Sequence, residues 1–267
     1  MRPIVYYSNL MLSGTLSGTN ASTTNPVRQV ADGSINLGYV VTPTGQSLTS
    51  GSVYVTLASA QTLSGLSIPK GLIPSGYTLK LQSMSNAVTE AGLTTHYTLV
   101  VSAETEFVLT TVSGASPALV WRVMLSGVSG LAPARTHEIQ LFTSQFQFGD
   151  VQVGIDRGHV RQFSRIGIPG GQPFVRREGP KLERSPYSFV SITSAQLAAG
   201  GPGLSEFVTD GDGLVAFIDA IDGGDAFTLT DDLGRSYWAE LLDPEPAQRD
   251  VGEVSSWLLT FQEIKVE

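Results

Sequence analysis

The sequence predicts an all-β chain: an N-terminal jelly-roll sandwich followed by a C-terminal β-barrel or sandwich with one short helix. Three observations lead there. Between Ser52 and Ser83 apolar residues recur with period two (Val53, Val55, Leu57, then Tyr77, Leu79, Leu81), the signature of strands with one buried and one wet face. Pro69, Gly71, Pro74 and Gly76 punctuate those runs as turn residues do. Charged residues make up only 15% of the chain while Gly, Ser and Thr abound, a composition of short strands and many turns rather than of long solvated helices.

The first half reads as follows. Residues 4–12 (IVYYSNLML) are a first strand, and Leu16 to Pro26 is a polar loop. Asp32-Gly33 marks a turn before a strand through Ile35, Leu37 and Tyr39 to Val41. The 52–83 block supplies three strands with tight connections, and residues 84–95 are irregular. Tyr97, Leu99 and Val101 with Phe107, Leu109 and Thr111 look like a hairpin. Leu119 to Leu125 is a strongly apolar strand, and His137 to Phe142 closes the module. Eight or nine strands in about 145 residues pack economically as a Greek-key or jelly-roll sandwich.

The order of the segments NPVRQVADGS, VYVTLASAQTLSGLSIP, YTLKLQS, VWRVMLSGVSG and THEIQLF, over roughly residues 20–145, resembles the galactose-binding-like (discoidin-type) jelly roll. More narrowly, it resembles the version found in bacteriophage tail proteins. Val120-Trp121-Arg122 matches a late aromatic-Trp-Arg strand, and Glu138-Ile139 the terminal strand. The sugar and calcium binders of that group use loops rich in aromatics and Asp. The loops here are mostly Ser, Thr and Gly.

The second half begins near Gln147. Val151, Val153 and Ile155 alternate, and His159 to Ile168 with Pro173 to Glu178 reads as a hairpin with an arginine-rich outer face about the turn Pro169-Gly170-Gly171-Gln172. Tyr187 to Ile192 is the next strand. Residues 194–209 are the best helical candidate, N-capped by Ser194 and broken at Gly200-Gly201-Pro202-Gly203. Leu214 to Ile221 is an apolar run of strand length. Phe227 to Leu229 and Tyr237 to Leu241 flank the turn Asp231-Asp232-Leu233-Gly234, and Trp257 to Ile264 is the last strand. This layout resembles the small β-barrel of phage tail-tube and distal-tail proteins. The expected domains are residues 1–146 and 147–267.

Charge is unevenly spread. Residues 150–184 carry a net +3, including Arg157, Arg161, Arg165, Arg176 and Arg177, whereas residues 185–267 carry −12. One reading is a solvated surface with internal ion pairs. The sharper one makes those five arginines a subunit contact, the basic hairpin of one copy meeting the acidic surface of the next. A net charge of −8 disfavours stable DNA affinity, and an acidic lining suits a channel through which DNA passes without sticking.

Reactive centres are hard to find. The chain has no cysteine, which excludes thiolate metal sites. His96, His137 and His159 lie in no nucleophile elbow and beside no paired carboxylate, so they read as structural or surface histidines. Asp210-Gly211-Asp212-Gly213 and Asp222-Gly223-Gly224-Asp225 suit turns better than calcium. An EF-hand loop starting at Asp210 needs a twelfth-position Glu, where Ile221 stands. Asp219, Asp222, Glu240 and Asp243 sit in a generally acidic segment from which no hydrolytic pair stands out. Trp121, Trp238 and Trp257 sit in apolar strands, as core residues do. No stretch approaches the ~20 apolar residues of a membrane span. The N-terminus makes a poor signal peptide, so the chain is expected to be made in a host cytoplasm.

The resulting expectation is a non-enzymatic structural component of a phage virion tail, with no cofactor, metal or catalytic residue. It would form a ring at the distal tail or baseplate that joins the tube to hub or fibres. Its partners would be those tail proteins and copies of itself, with only transient DNA passage. The alternatives are a host-glycan-binding adhesin module of a tail fibre and a capsid decoration protein.

Overall fold

The computed structural model describes residues 3–19, 27, 39–41, 48–68, 73–84, 92–102, 108–128, 134–136, 138–147, 158–166, 174–193, 214–221, 226–242, 247–251 and 254–264. They form antiparallel β-structure with two very short helices. The chain divides into two compact units, one built on Tyr6–Gln145, the other on Met1–Val5 with Phe146–Lys265.

The first unit is a two-layer sandwich of jelly-roll type. One layer is a five-stranded sheet ordered β2 (Thr15–Thr19), β4 (Leu48–Gln61), β9 (Ala118–Val128), β6 (Thr78–Met84) and β7 (Thr94–Val100). The other places β1 (Ile4–Asn9) beside β11 (Gln140–Gln147), then β5 (Gly65–Ile68) and β8 (Val108–Thr111). A small ladder joins β3 (Tyr39–Val41) to β10 (Ala134–Thr136). The core forms because alternate residues of both layers meet: Val53, Val55, Leu79, Leu81, Trp121, Val123 and Leu125 from one, Leu66, Ile68, Val108 and Leu141 from the other. Within the second layer β5 is hemmed in at Gly65, where any Cβ would run into the Phe142 ring of β11 and the Thr110 carbonyl of β8. Asn9 ends β1 by capping α1 (Leu10–Ser13): its Oδ1 accepts from the Met11 N–H at 3.1 Å and the Leu141 N–H at 3.0 Å.

Several expectations are corrected here. Leu16 to Pro26 is not loop throughout, since Thr15–Thr19 pairs with β4 from Thr15↔Thr56 to Thr19↔Ser52. The first strand stops at Asn9 rather than at residue 12. The hairpin read over Tyr97–Thr111 does not form: β7 pairs with β6 and β8 with β5, so the connection crosses between layers. The wet face expected for the 52–83 block is dry in part, although Thr56 is exposed and Thr78 and Lys80 are half-buried. Ser52 and Tyr54 are as buried as Val53 and Val55, and Arg122 is only 6% exposed. On this second face Tyr54, Met84 and Val120 cluster with Leu93 and Leu119. The Arg122 guanidinium lies 5.4 Å from the Tyr54 ring centroid and donates through Nε to Ser52 Oγ at 2.9 Å.

In the second unit the ladder runs β12 (Gly158–Ile166), β13 (Phe174–Thr193), β17 (Val254–Glu263), β15 (Ser236–Leu241) and β14 (Phe227–Thr230), with β16 (Ala247–Val251) also on β17. The expected Phe227–Leu241 hairpin and last strand are present. The extended segments read separately at 173–178 and 187–192 are one twenty-residue strand. Leu214–Ile221 is a helix, α2, where a strand was expected. Its apolar residues Leu214, Phe217, Ile218 and Ile221 fall at i, i+3, i+4 and i+7, a helical spacing inside a run short enough to pass for a strand. Tertiary packing uses that spacing: Phe217 meets Phe227 edge-on at 5.2 Å and Phe261 at 6.3 Å. The helical candidate at 194–209 lies outside the described residues. No helix among the described residues is long and apolar enough to cross a membrane.

Candidate functional site: a bulged histidine at the sheet rim

The five-stranded sheet is regular except at one end, where two irregularities flank Trp121. Between β4 and β9 the register runs to Val55↔Trp121 and Thr56↔Val120, then resumes at Gln61↔Ala118. Leu57 to Ala60 thus stand against Leu119 alone. Between β6 and β7 the register passes from Leu81↔Tyr97 to Gln82↔Thr95, which leaves His96 as an extra residue. A bulge of this kind breaks the two-residue period and re-aims the side chain it carries.

The re-aimed imidazole finds two partners. His96 Nε2 lies 2.7 Å from Ser83 Oγ, and its ring sits 5.2 Å from the Trp121 ring, tilted by 43°. Ser83 is opposite Trp121 in the β6–β9 ladder, so the three groups share one end of the sandwich. Trp121 is fully buried and donates from Nε1 to the Gln61 carbonyl at 3.3 Å. His96 is half-buried, and that desolvation lowers its pKa below the usual imidazole value. The ring is therefore neutral at pH 7, offering one N–H and one lone pair.

Around it lie uncharged hydrogen-bonding groups. Thr94, Thr95, Ser59 and Gln61 are exposed. Gln61 Nε2 donates to Ser59 Oγ at 3.2 Å, and Gln82 Nε2 to Thr95 Oγ1 at 2.9 Å. Among the described residues no carboxylate hydrogen-bonds to His96. What the arrangement offers is a polar rim with a half-buried imidazole tilted against a buried indole, a surface that matches neutral hydroxylated ligands by hydrogen bond and ring contact.

The arginines singled out by charge are distributed differently. Arg157 lies outside the described residues. Arg161 and Arg165 are on β12, Arg176 and Arg177 on β13. The register sets Arg177 opposite Phe163, Arg176 opposite Ser164 and Arg165 opposite Val175, so Arg176 belongs to the alternate set of positions from Arg165 and Arg177. His159 pairs with Glu183 across the same ladder. His137, Asp222, Asp243 and the Asp210–Gly213 stretch lie outside the described residues. Among the described residues Asp219 is exposed on α2, Glu240 accepts from Gln262 Nε2 at 3.1 Å, and no group of three metal-ligating side chains occurs. Trp121 and Trp238 are buried, as expected. Sequence reasoning missed His96 because the bulge that aims it is a property of strand register. The local run Thr94-Thr95-His96-Tyr97 carries no mark of it.

No protein-family model matches the sequence, and no curated protein matches it. Solved structures similar to the chain include chitosan-binding module 1 of a chitosanase/glucanase from Paenibacillus sp. IK-5, at 20% identity over 51% of this chain and 99% of that one, with a TM-score of 0.42. The family 32 CBM from C. perfringens NanJ, in complex with galactose, is 17% identical over 52% of this chain and 98% of that one, with a TM-score of 0.41. Chitosan-binding module 2 from the same Paenibacillus enzyme, in complex with chitotriose, is 16% identical over 50% of this chain and 99% of that one, with a TM-score of 0.41.

Proposed function

We propose that the N-terminal sandwich is a glycan-binding module, that its site is the His96 rim, and that it holds its ligand without turnover. One observation carries this reading: the bulge at His96 brings a neutral imidazole onto Trp121 and Ser83 amid exposed hydroxyl and amide groups. A pyranose presents an apolar C–H face and a girdle of hydroxyls. The imidazole suits the first, and Thr94, Thr95, Ser59 and Gln61 suit the second. The adhesin role on a fibre, read from the sequence as the alternative, is the biological setting that fits such a module.

Galactose and chitotriose, found in the solved modules similar to this chain, are the first probes, followed by a glycan array. Titration followed by NMR should shift resonances of His96 and Trp121, and His96→Ala should weaken binding about tenfold or more, the loss of one or two hydrogen bonds and a ring contact. Absence of binding to any arrayed glycan, or full affinity in the His96→Ala protein, rejects the site.

The second reading is a tail subunit at the distal tail or baseplate, assembled as a ring. It rests on the charge contrast between residues 150–184 and 185–267, and on the position of the arginine-bearing β12 at the end of its ladder, where a neighbouring copy has access. Rings seen by electron microscopy that dissociate with salt would favour it, and a salt-independent monomer would remove its basis.

A further inference from the structure

Like β2 at the other end, β7 is an edge strand of the five-stranded ladder among the described residues. Its sequence, Thr94 to Val100 (TTHYTLV), has no Asp, Glu, Lys, Arg or Pro, the residues that usually protect a sheet edge. By contrast, β12 at the end of its own ladder carries Arg161 and Arg165.

The hydrogen-bonding parity of β7 is fixed by its last contact. The Val101 N–H donates to the Tyr77 carbonyl at 2.8 Å, and the Val101 carbonyl accepts from the Gly76 N–H at 2.9 Å. Val101 therefore spends both backbone groups on the β6 side. Alternation along an antiparallel ladder turns the N–H and C=O of Val100 and Thr98 the other way, toward the open edge. Val100 is 64% exposed, a large apolar side chain beside those groups, and Thr98 is exposed as well. The His96 bulge limits the regular edge to Tyr97–Val100.

We infer that this edge is a strand-addition site for a second copy of the same chain. An antiparallel dyad at Leu99 sets Thr98 opposite the partner copy's Val100 and the reverse, so the outward N–H and C=O groups of each copy satisfy those of the other. The edge is self-complementary, and with no formal charge on it two copies meet without like-charge repulsion. Four residues a side make a small interface, so the association is weak in dilute solution and strengthens when copies are held near one another.

Sedimentation of the full chain from about 1 μM to about 1 mM tests this. The expected result is a concentration-dependent dimer, with slowed amide exchange confined to residues 97–101 as concentration rises. Val100→Lys puts a charge from each copy on the edge, diagonal to the other across the dyad, and Thr98→Pro removes an outward N–H while leaving the β6 ladder its donors. Each should weaken the dimer about tenfold or more with an unchanged circular dichroism spectrum. A chain monomeric throughout, or a dimer that survives Val100→Lys with its exchange protection elsewhere, overturns the inference. If Thr98→Pro unfolds the sandwich, Val100→Lys and the exchange map still decide.

Discussion

Two antiparallel strand pairs in this protein have opposite characters. β14 and β15 pair without a shift from Phe227↔Ala239 to Thr230↔Ser236 and close through a turn that satisfies itself. Asp231 is buried there: its Oδ1 accepts the Leu233 and Arg235 N–H groups at 2.9 Å each, and its Oδ2 accepts Arg235 Nε and Nη2 at 2.9 and 2.7 Å. Gly234 takes the positive φ that the turn requires. β6 and β7 instead carry an extra residue, and the polar side chain that it frees is turned onto a tryptophan. A regular ladder spends its polar groups on its own closure. An irregular one leaves polar groups to face something else, which is why the bulged pair is the better place to look for a ligand.

Substitutions can break or sharpen that contrast. The largest effect is expected from Trp121→Ala, which empties a fully buried site shared by both irregularities. It should cost about 3–5 kcal/mol in chemical denaturation and abolish the His96 resonance shift on ligand titration. Next comes Asp231→Ala, which leaves two backbone donors of the tight turn without their acceptor and should cost about 2–3 kcal/mol. Arg235→Ala should cost about 1 kcal/mol or less, because the arginine side chain is 47% exposed and the turn keeps its backbone bonds. A cost for Arg235→Ala equal to that of Asp231→Ala would mean that the ion pair, not the turn, holds the hairpin.

The smallest effect is on pH dependence. Burial lowers the folded-state pKa of His96 below its unfolded value of 6.5, so between those two values the unfolded chain binds more protons. The His96 contribution to stability is complete above pH 6.5 and is lost as pH falls through that window toward the folded pKa. Burial raises the Tyr97 pKa, so its hydroxyl stays un-ionised and leaves the histidine to titrate alone of the two. Stability of the wild type, measured from pH 7 down to 5, should fall faster than that of His96→Gln. Parallel curves would show that the rim does not shield the ring. The proposed glycan affinity should fall in the same window, since protonation removes the imidazole lone pair.

How much of this was legible varies with the reach of the interaction. The Asp231 hairpin could be read from four adjacent residues because its turn chemistry is local. Strands β4, β6 and β9 could be read from alternation, although not the burial of part of their second face: Tyr54 and Arg122 look like surface residues until the neighbours that cover them are known. α2 was misread because a continuous apolar run of eight residues is as long as a strand, and the packing of Phe217 on Phe227 and Phe261 selects the helix. The crossing from β7 to β8 was misread because closeness along the chain does not fix which sheet a strand joins.

From its residues alone the chain was committed to strands, tight turns and an uneven charge, since propensity, period and composition act over a few residues at a time. Strand partnership, the loss of register at His96 and the open side of β7 came only with the assembled sheet. A one-residue offset between two ladders depends on what each strand meets across tens of residues, and no local run of side chains encodes it.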